Sequence, residues 1–228
     1  RRRRYRWRAV RPLAVLVVSA LLCAFVAWAI WFSGLLAVRR VDVVGSPSDP
    51  TADRVAAAGR RALGRPLARV DTAALRRLLE AIPGVASARV RRSWPSTLSL
   101  VVTERQALAT VSRNGSVWLL DRQGVRFRRV SRAPGGLPRL EPTSSNPNDP
   151  ATRASLAAVR ALPDALRARV RSVSAPTPES VRLVLRDGRT VRWGGADHSG
   201  EKARVLQALL HQPGTVYDVS APSVVAIR

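Results

Sequence analysis

From Pro12 to Val38 the chain reads PLAVLVVSALLCAFVAWAIWFSGLLAV, 27 residues without a formal charge. A helix rises about 1.5 Å per residue, so the roughly 20 residues needed to cross a hydrocarbon core about 30 Å thick are present with several to spare. The run predicts a single transmembrane helix over 12–36. Seven arginines stand in the eleven residues before it, a basic tail over 1–11, and Arg39 and Arg40 follow it. The positive-inside rule then places the amino terminus in the cytoplasm and everything from 37 onward outside. Trp28, Trp31 and Phe32 fall toward the outer interface, where amphipathic rings are favoured. A cleaved signal peptide is the competing reading, but its apolar region spans only about 7–15 residues before a small-residue cleavage site. This run is longer and ends in aromatics. The chain starts at Arg1 rather than at methionine, so a longer cytoplasmic tail is expected.

Charge and cysteine narrow the function. Lysine plus arginine number 39 against 15 acidic residues, a net charge of +24, and Lys202 is the only lysine. An arginine excess of this kind fits a high-GC coding bias as well as phosphate binding, and nucleic-acid binding is not the expectation. The basic tail instead serves topology and attraction to anionic lipid headgroups. The single cysteine, Cys23, forms no intramolecular disulfide, so stability must come from packing. His198 and His211 are thirteen residues apart, no further ligands are arranged beside them in a recognisable metal-site pattern, and neither a metal nor a cofactor is expected.

Beyond the apolar run, VRRVDVVGS is β-rich and stops at Gly45-Ser46-Pro47. DPTADRVAAAGRRALG reads as a short helix with Asp49 or Thr51 near its start and Gly64 at its end. RVDTAALRRLLEAIPGV is the cleanest helix. Asp71 can cap it, Leu75, Leu78, Leu79 and Ile82 form its i, i+3, i+4, i+7 stripe, and Pro83-Gly84 ends it. Two strands follow, Val85 to Arg92, with Ala86, Ala88 and Val90 inward, and Thr97 to Arg105. Pro95 suits position i+1 of a type I turn over Trp94 to Thr97, with Trp94 read as capping the open end of a thin core in preference to serving as a partner hot spot. Arg89, Arg91 and Arg92 read as a solvated face, or as a contact for an acidic partner or lipid headgroups. The face bearing Leu98, Leu100 and Val102 continues to Glu104, a carboxylate that is costly there unless paired. An arginine or backbone N–H groups are expected to satisfy it and to fix a hinge between domains.

Those pieces carry a family resemblance. A single membrane helix, then VRRVDVVG, then GRPLARVDTAALRRLLEAIPGVASARVRRSWPSTLSLVVTER, resembles the bacterial FtsQ/DivIB cell-division family. The most specific part is Pro83-x-Val85, Val90-x-Arg92-x-Trp94-Pro95 and Glu104-Arg105. The resemblance implies an α+β chain: the transmembrane helix, a POTRA domain of order β-α-α-β-β over 37–105, and a β-rich domain over 106–228 with an antiparallel sheet and flanking helices. In this second part Asn114-Gly115 marks a hairpin, Asp121 to Gly124 a turn and Asp187-Gly188 another hairpin. Residues 131–150 read as an exposed loop. A helix is expected at about Ala151 to Leu162, with Leu156 and either Val159 or Arg160 inward. A second helix, capped by Ser199, carries Val205, Leu206, Leu209 and Leu210 as its stripe.

Catalysis is not expected. Asp197, His198 and Ser199 are acid, base and nucleophile types, but adjacent residues do not assemble a triad, and no hydrolase or P-loop motif is present. The resemblance implies a binding role instead: joining early and late divisome proteins at the septum by holding FtsB and FtsL, with other divisome partners on the POTRA domain. The physical route is strand addition at a sheet edge. The candidate edge runs over Ser223, Val224, Val225, Ala226 and Ile227, with Ala221 leading into it and Tyr217 and Trp193 as the nearest aromatic anchors. Arg92, Trp94, Pro95, Glu104 and Arg105 are the matching POTRA positions. A membrane-tethered POTRA protein of export or envelope assembly is the alternative, and an anchored wall hydrolase a more distant one.

Overall fold

The computed structural model describes residues 15–25, 28, 36–45, 48–142, 146, 149–221 and 226–227. Residues 15–25 are helical and expose Val15, Leu16, Leu21 and Phe25. Among the described residues no helix is long and apolar enough to cross a membrane. Of the span expected over 12–36, only 15–25, 28 and 36 are among the described residues. Its residues 12–14, 26–27 and 29–35, and the basic tail, lie outside the described residues. The chain divides into two units, Arg1–Glu104 and Arg105–Arg228.

The first unit is a three-stranded sheet of order β1-β3-β2 under two helices. Strand β1 (Arg40–Val44) runs parallel to β3 (Thr97–Glu104), and β2 (Val85–Ser93) pairs with β3 as an antiparallel hairpin. Helix α1 (Asp49–Arg60) buries Val55 and Ala58, and α2 (Thr72–Glu80) buries Leu75 and Leu79, against Leu98, Leu100 and Val102 of β3. Asp71 caps α2, accepting from the amides of Ala73 at 3.0 Å and Ala74 at 2.9 Å, and the Ala74 amide holds its carboxyl below the ordinary range. Gly45 ends β1 at φ +110°, where a Cβ would stand 2.2 Å from the Val102 carbonyl oxygen, so no side chain fits.

Four details depart from the sequence reading. A bulge in β2 between Val85 and Ser87 turns Ala86 outward and puts Val85 into the core. Leu78 is 40% exposed, because the stripe of α2 is narrower than its four apolar positions. Trp94 is 53% exposed and caps no core; its peptide bond to Pro95 is cis, in the loop that joins Ser93 to Thr97. Arg92 separates from Arg89 and Arg91, since period 2 puts it on the helix side of the sheet, opposite Leu98. There its guanidinium donates to the carbonyls of Leu67 at 3.0 Å and Val70 at 2.8 Å, the first residue of the 3-10 turn Leu67–Arg69 and the residue that follows it.

Glu104 closes the other end of that same face. It accepts from the Ser48 amide at 3.0 Å and from the Ser48 hydroxyl. Ser48 is the residue before α1 and makes no side-chain cap of its own. The carboxylate thus ties the start of α1 to the end of β3, a backbone N–H solution made inside the first unit.

The second unit holds a nine-stranded sheet of order β12-β11-β10-β9-β8-β7-β4-β5-β6. Its strands are β4 (Ala109–Arg113), β5 (Ser116–Leu120), β6 (Arg126–Val130), β7 (Arg139–Glu141), β8 (Val170–Ser174), β9 (Val181–Leu185), β10 (Thr190–Gly194), β11 (Val216–Asp218) and β12 (Ala226–Ile227). The sheet is mixed rather than antiparallel: β4 with β7, β7 with β8, and β10 with β11 are parallel. Parallel neighbours need crossovers. Helices α3 (Pro150–Ala161) and α4 (Asp164–Arg169) lie between β7 and β8, and α5 (Ser199–Leu209) between β10 and β11. Strand β7 sits inside the stretch expected to be an exposed loop, with Leu140 buried. Asn114 and Gly115 both take positive φ in the tight turn between β4 and β5. Of the helix positions, Leu156, Val159, Leu206 and Leu210 are buried, whereas Arg160 is exposed.

One cross-strand row organises this unit. Directly paired residues share a face of a sheet, and successive pairs link Tyr217, Val191, Leu183, Val173, Leu140, Val111, Trp118 and Arg129. Tyr217 through Val111 are buried; Trp118 is half-buried and Arg129 exposed. Helix α3 packs over β8 and β9, in the middle of the row.

Arg92→Leu removes both donors from the Leu67 and Val70 carbonyls, and urea unfolding of the full chain is expected to show a loss of about 1–3 kcal/mol. Arg92→Lys keeps the charge without the fork of donors and should recover only part of it.

Candidate partner interface

At one end of the nine-stranded sheet the pairing runs from β10 to β11 in parallel and from β11 to β12 in antiparallel. Thr190 stands opposite Val216, Val191 opposite Tyr217, Tyr217 opposite Ile227 and Asp218 opposite Ala226. Strand β12 is the terminal strand on this side. One side of a terminal strand's backbone is left to pair with another chain.

What holds β11 in place is a cluster around Tyr217. Its ring is fully buried. Its hydroxyl donates toward the carbonyls of Gln212 at 2.7 Å and Gly214 at 3.1 Å, and accepts from Arg189 Nη1 at 3.1 Å. The Arg189 guanidinium carbon also lies 5.5 Å from the Tyr217 ring centroid, a cation–π contact. Arg189 further donates to the Leu210 carbonyl and pairs with Asp187 at 2.8 Å. The hydrogen bond from Arg189 holds the Asp187 carboxyl below its ordinary value of 3.8. Beyond Tyr217 the chain is steered by Asp218, which accepts from the Ser220 amide at 3.0 Å and the Ser220 hydroxyl at 2.6 Å.

The expected anchors are therefore reassigned. Tyr217 and Trp193 are both fully buried, as members of alternating strand faces that point into the core, and offer no surface to a partner. Ala221 is exposed just before β12. Ala226 and Ile227 form β12 itself, while Ser223, Val224 and Val225 lie outside the described residues. Among the POTRA positions, Arg92 and Glu104 bind backbone groups within the first unit, and Trp94 and Pro95 form its exposed hairpin loop. Arg105 belongs to the second unit, where it pairs with the buried Asp121, whose carboxylate also accepts from the amides of Gln123 and Val125.

The Asp197-His198-Ser199 stretch is committed to structure. Ser199 is the first residue of α5 rather than its cap; its hydroxyl donates to the Ala196 carbonyl at 2.6 Å and accepts from Trp193 Nε1 at 3.3 Å. His198 precedes it at φ +53° with Nδ1 3.9 Å from the Glu201 carboxylate. Lys202, missed by the sequence reading as a structural residue, is buried and donates to the Gly195 carbonyl at 3.0 Å, and burial pushes its ammonium below the ordinary lysine range. Among the described residues, no group of three His, Cys, Asp or Glu side chains is placed to hold a metal ion.

Comparison with known proteins agrees with this two-unit layout. The FtsQ-type POTRA domain family matches residues 36–105, and the cell division protein FtsQ/DivIB carboxyl-terminal family matches 109–225. The chain belongs to the FtsQ/DivIB family of cell-division proteins. It is 40% identical to FtsQ of Mycolicibacterium smegmatis over 96% of this chain and 66% of that one. Against FtsQ of Mycobacterium tuberculosis the identity is 34%, over 97% and 70% of the two chains, and against that of Streptomyces collinus 38%, over 96% and 89%. The chain thus spans about two thirds of the length of its mycobacterial relatives. Family members are non-catalytic division proteins.

Tyr217→Phe leaves the Gln212 and Gly214 carbonyls without their donor, with an expected loss of about 1–3 kcal/mol in urea unfolding. Asp187 has a lowered folded pKa, so its contribution is complete above pH 3.8 and disappears as pH falls through the lowered value. Asp187→Asn should remove that part of the acid-unfolding profile and leave the profile near neutrality parallel to that of the parent.

Proposed function

We propose that this chain is a bitopic divisome protein that captures FtsB and FtsL-like partners by strand addition on β12, linking early and late division proteins to septal wall synthesis. The observation that carries the reading is the terminal place of β12, held on its inner side by β11 alone. A partner strand would satisfy the outward N–H and C=O groups; each such bond nets about 0.5–1.5 kcal/mol, so side chains over Ala221 and Ser223 to Ile227 must supply apolar contact and specificity. With Tyr217 in the core, its part is to fix the strand to which β12 pairs.

In this reading the domains are a cytoplasmic basic tail over 1–11, a membrane helix over 12–36, a POTRA domain over 37–105 and a β domain over 106–228, with the last two outside the plasma membrane at the division septum. The uncharged run, the flanking arginines and the apolar side chains exposed along 15–25 support the anchor. The basic tail would meet anionic headgroups, and the POTRA domain other divisome proteins.

The test is capture of an FtsB/FtsL pair by the full chain in membranes. Val225→Asp and Ile227→Asp are each expected to abolish it while circular dichroism stays native; undiminished capture would remove β12 as the site. A fluorescent fusion should band at mid-cell, and a diffuse envelope signal with normal septation after depletion would remove the divisome assignment.

A further inference from the structure

The opposite end of the sheet is also open. Strand β6 pairs with β5 and is terminal there. Its edge differs from β12 in chemistry. The cross-strand row that is buried through Leu140 and Val111 continues onto a half-buried Trp118 and ends on an exposed Arg129. An apolar row that outruns its cover leaves an indole ready to be covered.

Register gathers charge around that indole. Arg113 stands opposite Ser116, two residues before Trp118, and so shares its face. Arg126 and Arg129 are three apart and would normally point to opposite faces. A bulge between Leu119 and Leu120 sets Arg126 opposite Leu120 while Arg129 stands opposite Trp118, which brings both arginines to the Trp118 face. These four residues, with Asn114 and Ser116, line an open cavity of about 710 Å³ that no carboxylate enters. Among the described residues none of Arg113, Arg126 and Arg129 has an ion-pair partner. The nearby Asp121 is taken by Arg105 and by two backbone amides.

We propose that β6 and the Trp118 face form a second docking site, for an extended acidic segment of a partner protein that adds to β6 as a strand. On the Trp118 face its alternate carboxylates would meet Arg126 and Arg129, their side-chain stems lying over the open side of the indole, and its apolar positions would lie on the opposite face of the sheet. Charge complementarity selects this occupant. A second copy of this chain would set arginine against arginine, which is repulsive directly across strands, whereas an acidic strand gains both ladder bonds and charge-assisted pairs. Arginines on an edge also guard against self-association, but that role requires neither Arg113, which lies on β4, nor an uncovered Trp118. The site is separate from β12.

The probe is a fluorescent ten-residue peptide alternating Glu and Val, titrated against the full chain in detergent. Controls are a Lys-Val peptide and a Glu-Val peptide of equal charge interrupted by proline. Anisotropy should show binding of the Glu-Val peptide, weaker by roughly tenfold or more for the proline-interrupted one and for Arg129→Glu. Trp118→Ala should weaken it too, and if that variant is unstable, the Arg126→Glu/Arg129→Glu pair carries the test. Hydrogen exchange should slow at the amides of 126–130 on binding. The proposal is overturned by absence of binding, which leaves an edge guard only, and by equal binding of the interrupted peptide or of Arg129→Glu, which means attraction to net charge alone. Protection confined to 226–227 overturns it, as does Arg129-dependent binding to phosphatidylglycerol vesicles without peptide binding, which would assign the patch to a lipid surface.

Discussion

Every helix end and strand end that packs inside this protein leaves backbone N–H and C=O groups to be paired, and their pairing by charged side chains underlies both units. In the first unit the apolar face of the β2–β3 hairpin is closed at one end by Arg92 and at the other by Glu104. The arginine takes the Leu67 and Val70 carbonyls, and the carboxylate takes the Ser48 amide. Two helices are thereby fastened to a sheet of three strands whose core is small. The same device recurs in the second unit, where Arg186 donates to the Ala168 and Leu137 carbonyls and Arg189 to that of Leu210. A planar guanidinium with five donors suits this use better than an ammonium does. Part of the chain's arginine excess is therefore structural, and the net charge of +24 is a poor guide to ligand.

Organisation of the second unit around one row of paired residues has a functional consequence. A sheet with nine strands has two edges, and the row assigns them different chemistry. At the β12 end, Tyr217 terminates the buried part of the row and is locked by Arg189 and two carbonyls, so β11 presents a rigid base for the strand beside it. At the β6 end, the row passes beyond the core to an indole and an arginine. In the proposed reading the protein works by holding others, and a sheet open at both ends can hold partners that do not compete.

Local chemistry made much of this legible in advance. Asp71 before an amphipathic run and Pro83-Gly84 after it delimit α2, because capping and termination are decided within a turn of chain. Asn114-Gly115 and Asp187-Gly188 name their hairpins for the same reason: positive φ is needed there, and few residues supply it. By contrast, β7 is three residues between two prolines, too short for any period to register, and it is a strand only because β4 and β8 lie on either side. The burial of Tyr217 was equally hidden. An aromatic beside a terminal strand reads as an anchor until its pairing with Val191 puts it in the core row.

The sequence by itself determined the order of most elements, the positions of most turns, the membrane-like run near the amino terminus and the family, through residues close together in the chain. Tertiary structure alone decided which way the side chains face. A bulge at Ala86 and another before Leu120 each shift a strand by one residue, and with a side-chain period of two a single step exchanges core for surface. Such shifts are set by pairing with distant strands. The partners that reveal whether Arg92 is surface or fastener, and Tyr217 anchor or core, lie 25 and 26 residues away, at Leu67 and Val191.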